Sequence, residues 1–119
     1  MGAILAEVTI SNPADRTKRW QGEFLIDTGA IDTVAPAKRL REIGIQPEET
    51  RRYVLADGSV RELEVGLARI EFMGGVTGVA VVFADDDVRP LLGATAMESL
   101  GIEIDMRDET LRRLPAVQL

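Results

Sequence analysis

The sequence predicts an all-β fold with two short helices. Apolar and polar residues alternate with a period of two over several stretches, turn residues recur between these stretches, and only two short segments have helical composition. With 119 residues the chain has room for one compact domain, taken as residues 1–119, and not for two lobes.

Ile4, Ala6, Val8 and Ile10 fall on one face of a first strand, and Asn12-Pro13-Ala14-Asp15 has turn chemistry. Residues 20–26 resume an extended pattern that ends in Phe24-Leu25-Ile26 and then in the small, bendable Asp27-Thr28-Gly29-Ala30. After a short strand at Thr33-Val34-Ala35, Pro36 suits the first turn of a helix, with Leu40 and Ile43 on one side and Gly44 as its stop. Tyr53-Val54-Leu55-Ala56, Asp57-Gly58 and Ser59-Val60 read as a hairpin with an exposed tip, because Asp-Gly is expected to supply the positive φ angles of a tight primed turn.

A longer alternating stretch, 63–72, meets Gly74-Gly75 and returns over 76–83. Asp85-Asp86-Asp87 forms a polar loop before Leu91-Leu92-Gly93. Residues 94–100 have helical composition closed by Gly101, and 102–104 and 110–114 read as two last strands joined by 106–109. The total is seven or eight strands. Met97, Leu100 and much of Trp20 are expected in the core, and Arg51-Arg52 and Arg112-Arg113 as ordinary surface charge.

Apolar residues at 45% and charged residues at 29% give the balance of a soluble globular domain, small enough to gain from an oligomeric partner. The chain has no cysteine and no histidine, which removes a thiol nucleophile, a Ser–His pair, a disulfide framework and a Cys/His zinc site. General acid or base work then falls to Asp, Glu, Lys or the single tyrosine, Tyr53. A net charge of −6 with scattered arginines disfavours nucleic acid as a partner. The first seven residues lack a basic n-region, Ala6 stands where myristoylation at Gly2 would want Ser or Thr, and no apolar run reaches the roughly 18–20 residues of a membrane span. The expected location is cytoplasmic, with no membrane association and no cofactor.

The informative segment is Phe24-Leu25-Ile26-Asp27-Thr28-Gly29-Ala30. An apolar strand that ends in an acid pushes a carboxylate out of the core where the chain must turn, and Thr28-Gly29 lets the backbone turn tightly around it. The shape alone also fits a solvent-facing turn acid, or a Mg²⁺ site of a nucleotide hydrolase; the latter needs a Gly-rich phosphate loop with a lysine, which is absent. Asp85-Asp86-Asp87 could be read as a Ca²⁺ site, but consecutive acids cannot all face one ion, and a solvated loop is the better reading.

Asp27-Thr28-Gly29-Ala30 extended to Asp32-Thr33, Ala56-Asp57-Gly58 at a hairpin tip, and Leu91-Leu92-Gly93 opening a helix together resemble the retroviral-type aspartic proteases, specifically their small single-domain prokaryotic relatives. The resemblance runs from about residue 4 to 114, and its specificity lies in the second motif's Gly93 falling 66 positions after Asp27. It implies a retropepsin-like closed barrel and a homodimeric endopeptidase acting on peptide or protein substrates, with one Asp27 from each subunit as the catalytic pair.

By the same resemblance, Thr28 would brace the two loops across the subunit boundary and Gly29 would let substrate backbone approach. Ala30 and Asp32, with the flap residues Ala56, Asp57, Gly58 and Ser59, would contact peptide, and Leu91-Leu92-Gly93 would pack behind the loop. The chain departs from the retroviral pattern at Ile31 and Ala94, where an acid and an arginine usually pair. Two alternatives stay open: a catalytically silent dimeric peptide-binding module of the same fold, and a metal-dependent hydrolase using Asp27 and the acidic loop.

Overall fold

The computed structural model describes residues 3–119, so Met1 and Gly2, and the reading made on Gly2, lie outside the described residues. Strand β1 (Leu5–Asn12) turns at 13–14 into β2 (Asp15–Ile26), and the two pair antiparallel from Leu5↔Leu25 to Ser11↔Arg19. Then follow β3 (Thr33–Pro36), α1 (Ala37–Glu42), β4 (Glu49–Val54), β5 (Val60–Phe72), β6 (Gly75–Ala84), β7 (Leu91–Leu92), α2 (Ala94–Leu100), β8 (Ile102–Asp105) and β9 (Thr110–Arg113). The described residues thus hold nine strands and the two expected short helices.

Seven strands form a sheet in the order β1-β2-β7-β3-β6-β5-β4, and β1 also pairs with β5, so the sheet closes into a ring. The fold is mostly β, as the alternation predicts. β5 makes closure possible by its length of 13 residues. One of its edges pairs with β6 from Val65↔Val82 to Phe72↔Gly75; the other pairs with β4 over Val60 to Val65 and with β1 at Arg69, Ile70 and Glu71. β8 and β9 form a separate two-stranded sheet.

Alternation places Val8, Ile10, Phe24, Ile70, Val81 and Leu92 in the core, and Met97 and Leu100 of α2 join them as expected. Burying side chains of this size stabilises by about 1.5–3 kcal/mol each. Trp20 is half-buried; its ring lies over Gly22, where an added Cβ would come within 2.5 Å of it.

Pro36 ends β3 and stands just before α1, one residue ahead of the place expected for it, and Gly44 stops the helix at φ +80°. No side chain within α1 caps its start; the Lys38 N–H instead donates to Asp86 Oδ1 at 3.2 Å. The acidic loop therefore satisfies one of the free donors of a helix N-terminus. Among the described residues no cluster of three or more His, Cys, Asp or Glu could hold a metal ion, and no helix is long and apolar enough to cross a membrane.

The β5–β6 turn differs from expectation by one residue. Phe72 pairs with Gly75, so the turn residues are Met73 and Gly74, at φ +50° and +81°. A type I′ turn needs both angles positive, and methionine adopts this region at a cost of about 1–2 kcal/mol. Asparagine tolerates it better, so Met73→Asn is expected to raise stability by about 1 kcal/mol, read as a higher urea midpoint at unchanged slope.

Candidate active site

The loop that follows β2 is held from behind by two elements distant in sequence. β7 runs parallel to the end of β2, pairing Leu25↔Leu91 and Ile26↔Leu92, and the Asp27 N–H donates to the Leu92 carbonyl at 3.0 Å. The chain then reverses: Asp27 Oδ1 accepts from the Gly29 N–H at 2.9 Å, and the Asp27 carbonyl accepts from Ala30 N–H at 3.3 Å.

Past the turn, the loop lays its carbonyls on the first turn of α2. Ala94 N–H donates to Ala30 O at 2.7 Å and Thr95 N–H to Ile31 O at 3.1 Å. The Gly93 N–H donates to the buried Thr33 Oγ1 at 3.2 Å. A helix start leaves such donors unpaired, and α2 has no side-chain cap, so the loop takes that role. Gly93 makes the approach possible through its missing side chain, not its backbone angle: a Cβ there would sit 2.7 Å from the Asp32 and Ile31 carbonyl oxygens.

This arrangement leaves the Asp27 side chain half-buried on the wall of a cleft of about 910 Å³. Gly29, Ala30 and Asp32 share that wall, and Tyr53, Leu55 and Ala56 of the β4–β5 hairpin stand across it. The volume is ample for several side chains of an extended peptide. A second hollow of about 330 Å³, by the β5–β6 turn, has no comparable convergence of groups.

The hairpin tip closes by a route other than the expected primed turn. Gly58 has φ +85° but Asp57 does not have a positive angle. Leu55 N–H donates to Ser59 O at 2.8 Å and Gly58 N–H to Leu55 O at 2.9 Å, a three-residue connection with glycine in the left-handed position. Asp57 Oδ1 accepts from the Ser59 hydroxyl at 2.6 Å and from its N–H at 2.9 Å, which together hold the Asp57 carboxyl below its usual range. The tip, 56–60, is exposed throughout.

Of the residues singled out from the sequence, Asp27, Gly29, Ala30, Asp32 and Ala56 come together around the cleft. Thr28 is exposed at the turn, and Asp57, Gly58 and Ser59 sit at the hairpin tip away from the cleft wall of the single chain. Ile31, at the position where a charged pair is usual in the retroviral pattern, is 72% exposed.

Tyr53 of the cleft lining, with Arg51 beside it, meets the loop through a contact that the sequence does not signal. Tyr53 Oη donates to Asp32 Oδ2 at 2.7 Å, and the Arg51 guanidinium lies 3.6 Å from the same oxygen while binding Glu49 at 2.9 and 3.1 Å. Arg51 is exposed, as expected of a surface charge, with one side of its guanidinium near Asp32. Burial, then the neighbouring Asp32 carboxylate, pushes the Tyr53 phenol up to about 12. The neutral phenol is favoured in the fold, so what it contributes is complete below the ordinary tyrosine value of about 10 and is lost as pH rises through about 12. No local pattern marks this contact, since the partners lie 21 positions apart on different elements.

Residues 6–104 match the family model described as aspartyl protease. No curated protein matches the chain. Among solved structures the fold is similar to EIAV protease in complex with the inhibitor HBY-793, at TM-score 0.63 and 17% identity, covering 88% of this chain and 94% of that one. It is also similar to the Simian Foamy Virus (mac) protease, at TM-score 0.57 and 18% identity over 82% and 94% of the two chains. A retropepsin-like aspartic protease from Rickettsia conorii matches at TM-score 0.57 and 16% identity over 88% and 89%.

Because a Cβ at position 93 would collide with backbone and not with a flexible side chain, Gly93→Ala is expected to destabilise by about 1–3 kcal/mol. Chemical denaturation checks this, and amide exchange at Ala94 and Thr95 should accelerate in the same variant.

Proposed function

The chain belongs to the aspartyl protease family and has the retropepsin-like fold, and from this we propose that it is an aspartic endopeptidase that works as a homodimer. One Asp27 from each copy would supply the catalytic pair, with residues 1–119 acting as one protease domain in the cytoplasm. The observation that carries the reading is the Asp27 carboxylate opening into a peptide-sized cleft beneath a hairpin, in a sequence that holds a single Asp-Thr-Gly.

The chemistry explains the need for a second copy. Two carboxylates at close range do not both ionise cheaply, so the paired acids of an aspartic protease share one proton. The ionised member takes a proton from a water molecule as that water attacks the peptide carbonyl, and the protonated member supports the developing oxyanion. With one motif per chain, the pair requires a two-fold axis passing between two loops.

Thr28, exposed at the turn beside Asp27, would meet its counterpart across that axis. Peptide would lie extended between the loops and the hairpins, exchanging main-chain hydrogen bonds as an added strand. Apolar cleft residues such as Val34, Leu63, Val82 and Leu91 would receive its side chains.

Asp27→Asn is expected to lower kcat/KM for a cleaved peptide by more than about 10³-fold while leaving peptide binding measurable. Adding an equal amount of the Asp27→Asn chain should roughly halve wild-type activity once subunits exchange, because mixed dimers lack one carboxylate. Full retention of activity would contradict a shared site. The wild-type pH–rate profile should be bell-shaped, both limbs belonging to the pair. A wild type that binds peptide yet cuts none between about pH 3 and 7 supports the silent binding module instead.

A further inference from the structure

We infer that the Tyr53–Asp32 hydrogen bond is a latch that ties the root of the β4–β5 hairpin to the Asp27 loop, making Tyr53 a positioning residue and drawing Asp32 away from direct contact with peptide. The inference rests on the protease reading and deepens it, since the hairpin matters to function only if it closes over substrate.

β4 is the last strand of the sheet and, among the described residues, pairs only with β5. A hairpin held by one neighbour opens easily, because few bonds must break to move it. Of the side-chain bonds that β4 makes, those leaving the hairpin both end on Asp32 Oδ2, from the Tyr53 hydroxyl at 2.7 Å and the Arg51 guanidinium at 3.6 Å. At 3.6 Å the guanidinium contributes charge and no hydrogen bond. The phenol therefore makes the directional contact, and a donor facing a carboxylate is among the stronger ones.

The two ends of this contact differ in rigidity. Asp32 belongs to the loop whose carbonyls cap α2, and its backbone packs against Gly93 so closely that no Cβ fits between them. Its side chain is only 15% exposed. Tyr53 belongs to the edge strand, just before the exposed tip at 56–60. The rigid phenol thus carries the fixed position of the loop to the hairpin, and the hairpin root keeps a set height over the cleft.

The latch bears on peptide binding in two ways. Without it the hairpin would sample open positions, and apparent affinity would fall in proportion to the lost closed fraction. Asp32, although it lines the cleft, would act on peptide through Tyr53, because its Oδ2 already accepts the phenol's hydrogen bond with the Arg51 guanidinium beside it.

The test is amide hydrogen exchange on the full chain, comparing wild type, Tyr53→Phe, Asp32→Ala and the double variant. Tyr53→Phe keeps the ring and removes only the hydroxyl. Exchange across 50–63 should accelerate about tenfold in it, with β1, β2 and α2 unchanged, and the double variant should match the single ones. Unchanged hairpin exchange in Tyr53→Phe, or effects that multiply in the double variant, would overturn the latch. This readout needs no cleavage, so it stands apart from any failure of the protease reading. With a cleaved peptide, Tyr53→Phe should raise KM more than it lowers kcat, and Asp32→Ala added to it should change KM no further. An additional rise in KM would show that Asp32 touches substrate directly.

Discussion

The site depends on carbonyl oxygens finding donors. Ala30 and Ile31 turn their carbonyls onto the N–H groups that the first turn of α2 leaves free, and the Gly93 N–H finds Thr33 Oγ1. The buried Gly93–Thr33 bond satisfies groups whose burial without a partner would cost about 1–3 kcal/mol. The loop and the helix are thus each other's missing cap. Gly93 is the condition for this, since any side chain would push the two apart. What this docking does chemically is to fix the backbone on both sides of Asp27 while its carboxylate stays open to the cleft.

The ring-like sheet sets where that carboxylate faces. β5 is long enough to join β4 at one end and β1 at the other, so a single strand both closes the ring and carries the hairpin out over the loop. The closed part is dry and alternates regularly; the projecting part is exposed and edge-paired. Burial is therefore concentrated in the ring and exposure in the hairpin, the division expected of a cleft that needs entry and closure.

Much of this can be read from the residues alone. The strand alternation, both helices, the Gly44 and Gly101 stops and the Asp27 turn all follow from local chemistry, and each lies where that chemistry puts it. The exchange between residues 27–32 and 93–95 is reached only through a resemblance, because nothing local says that two segments so far apart will touch. The turn at Met73 shows a different limit. Gly74-Gly75 signals a turn, but the pairing Phe72↔Gly75, set by which side chains of β5 and β6 face the core, moves it onto a methionine. The Tyr53–Asp32 contact is invisible in the sequence for a different reason: the two lie 21 positions apart, on a strand and a loop that do not pair, so each can be singled out alone but not as partners.

On the proposed reading, a loop that carries the single Asp-Thr-Gly of the sequence would gain its chemistry by meeting a copy of itself. The exposed Thr28 and Ile31 flank the face on which that meeting would occur. The most direct measurement is the separation of the two Asp27 carboxylates in a crystal structure of the assembled protein. A shared proton predicts oxygens within about 3 Å of each other across a two-fold axis. Copies that join through another surface, each with its Asp27 facing solvent alone, would contradict it.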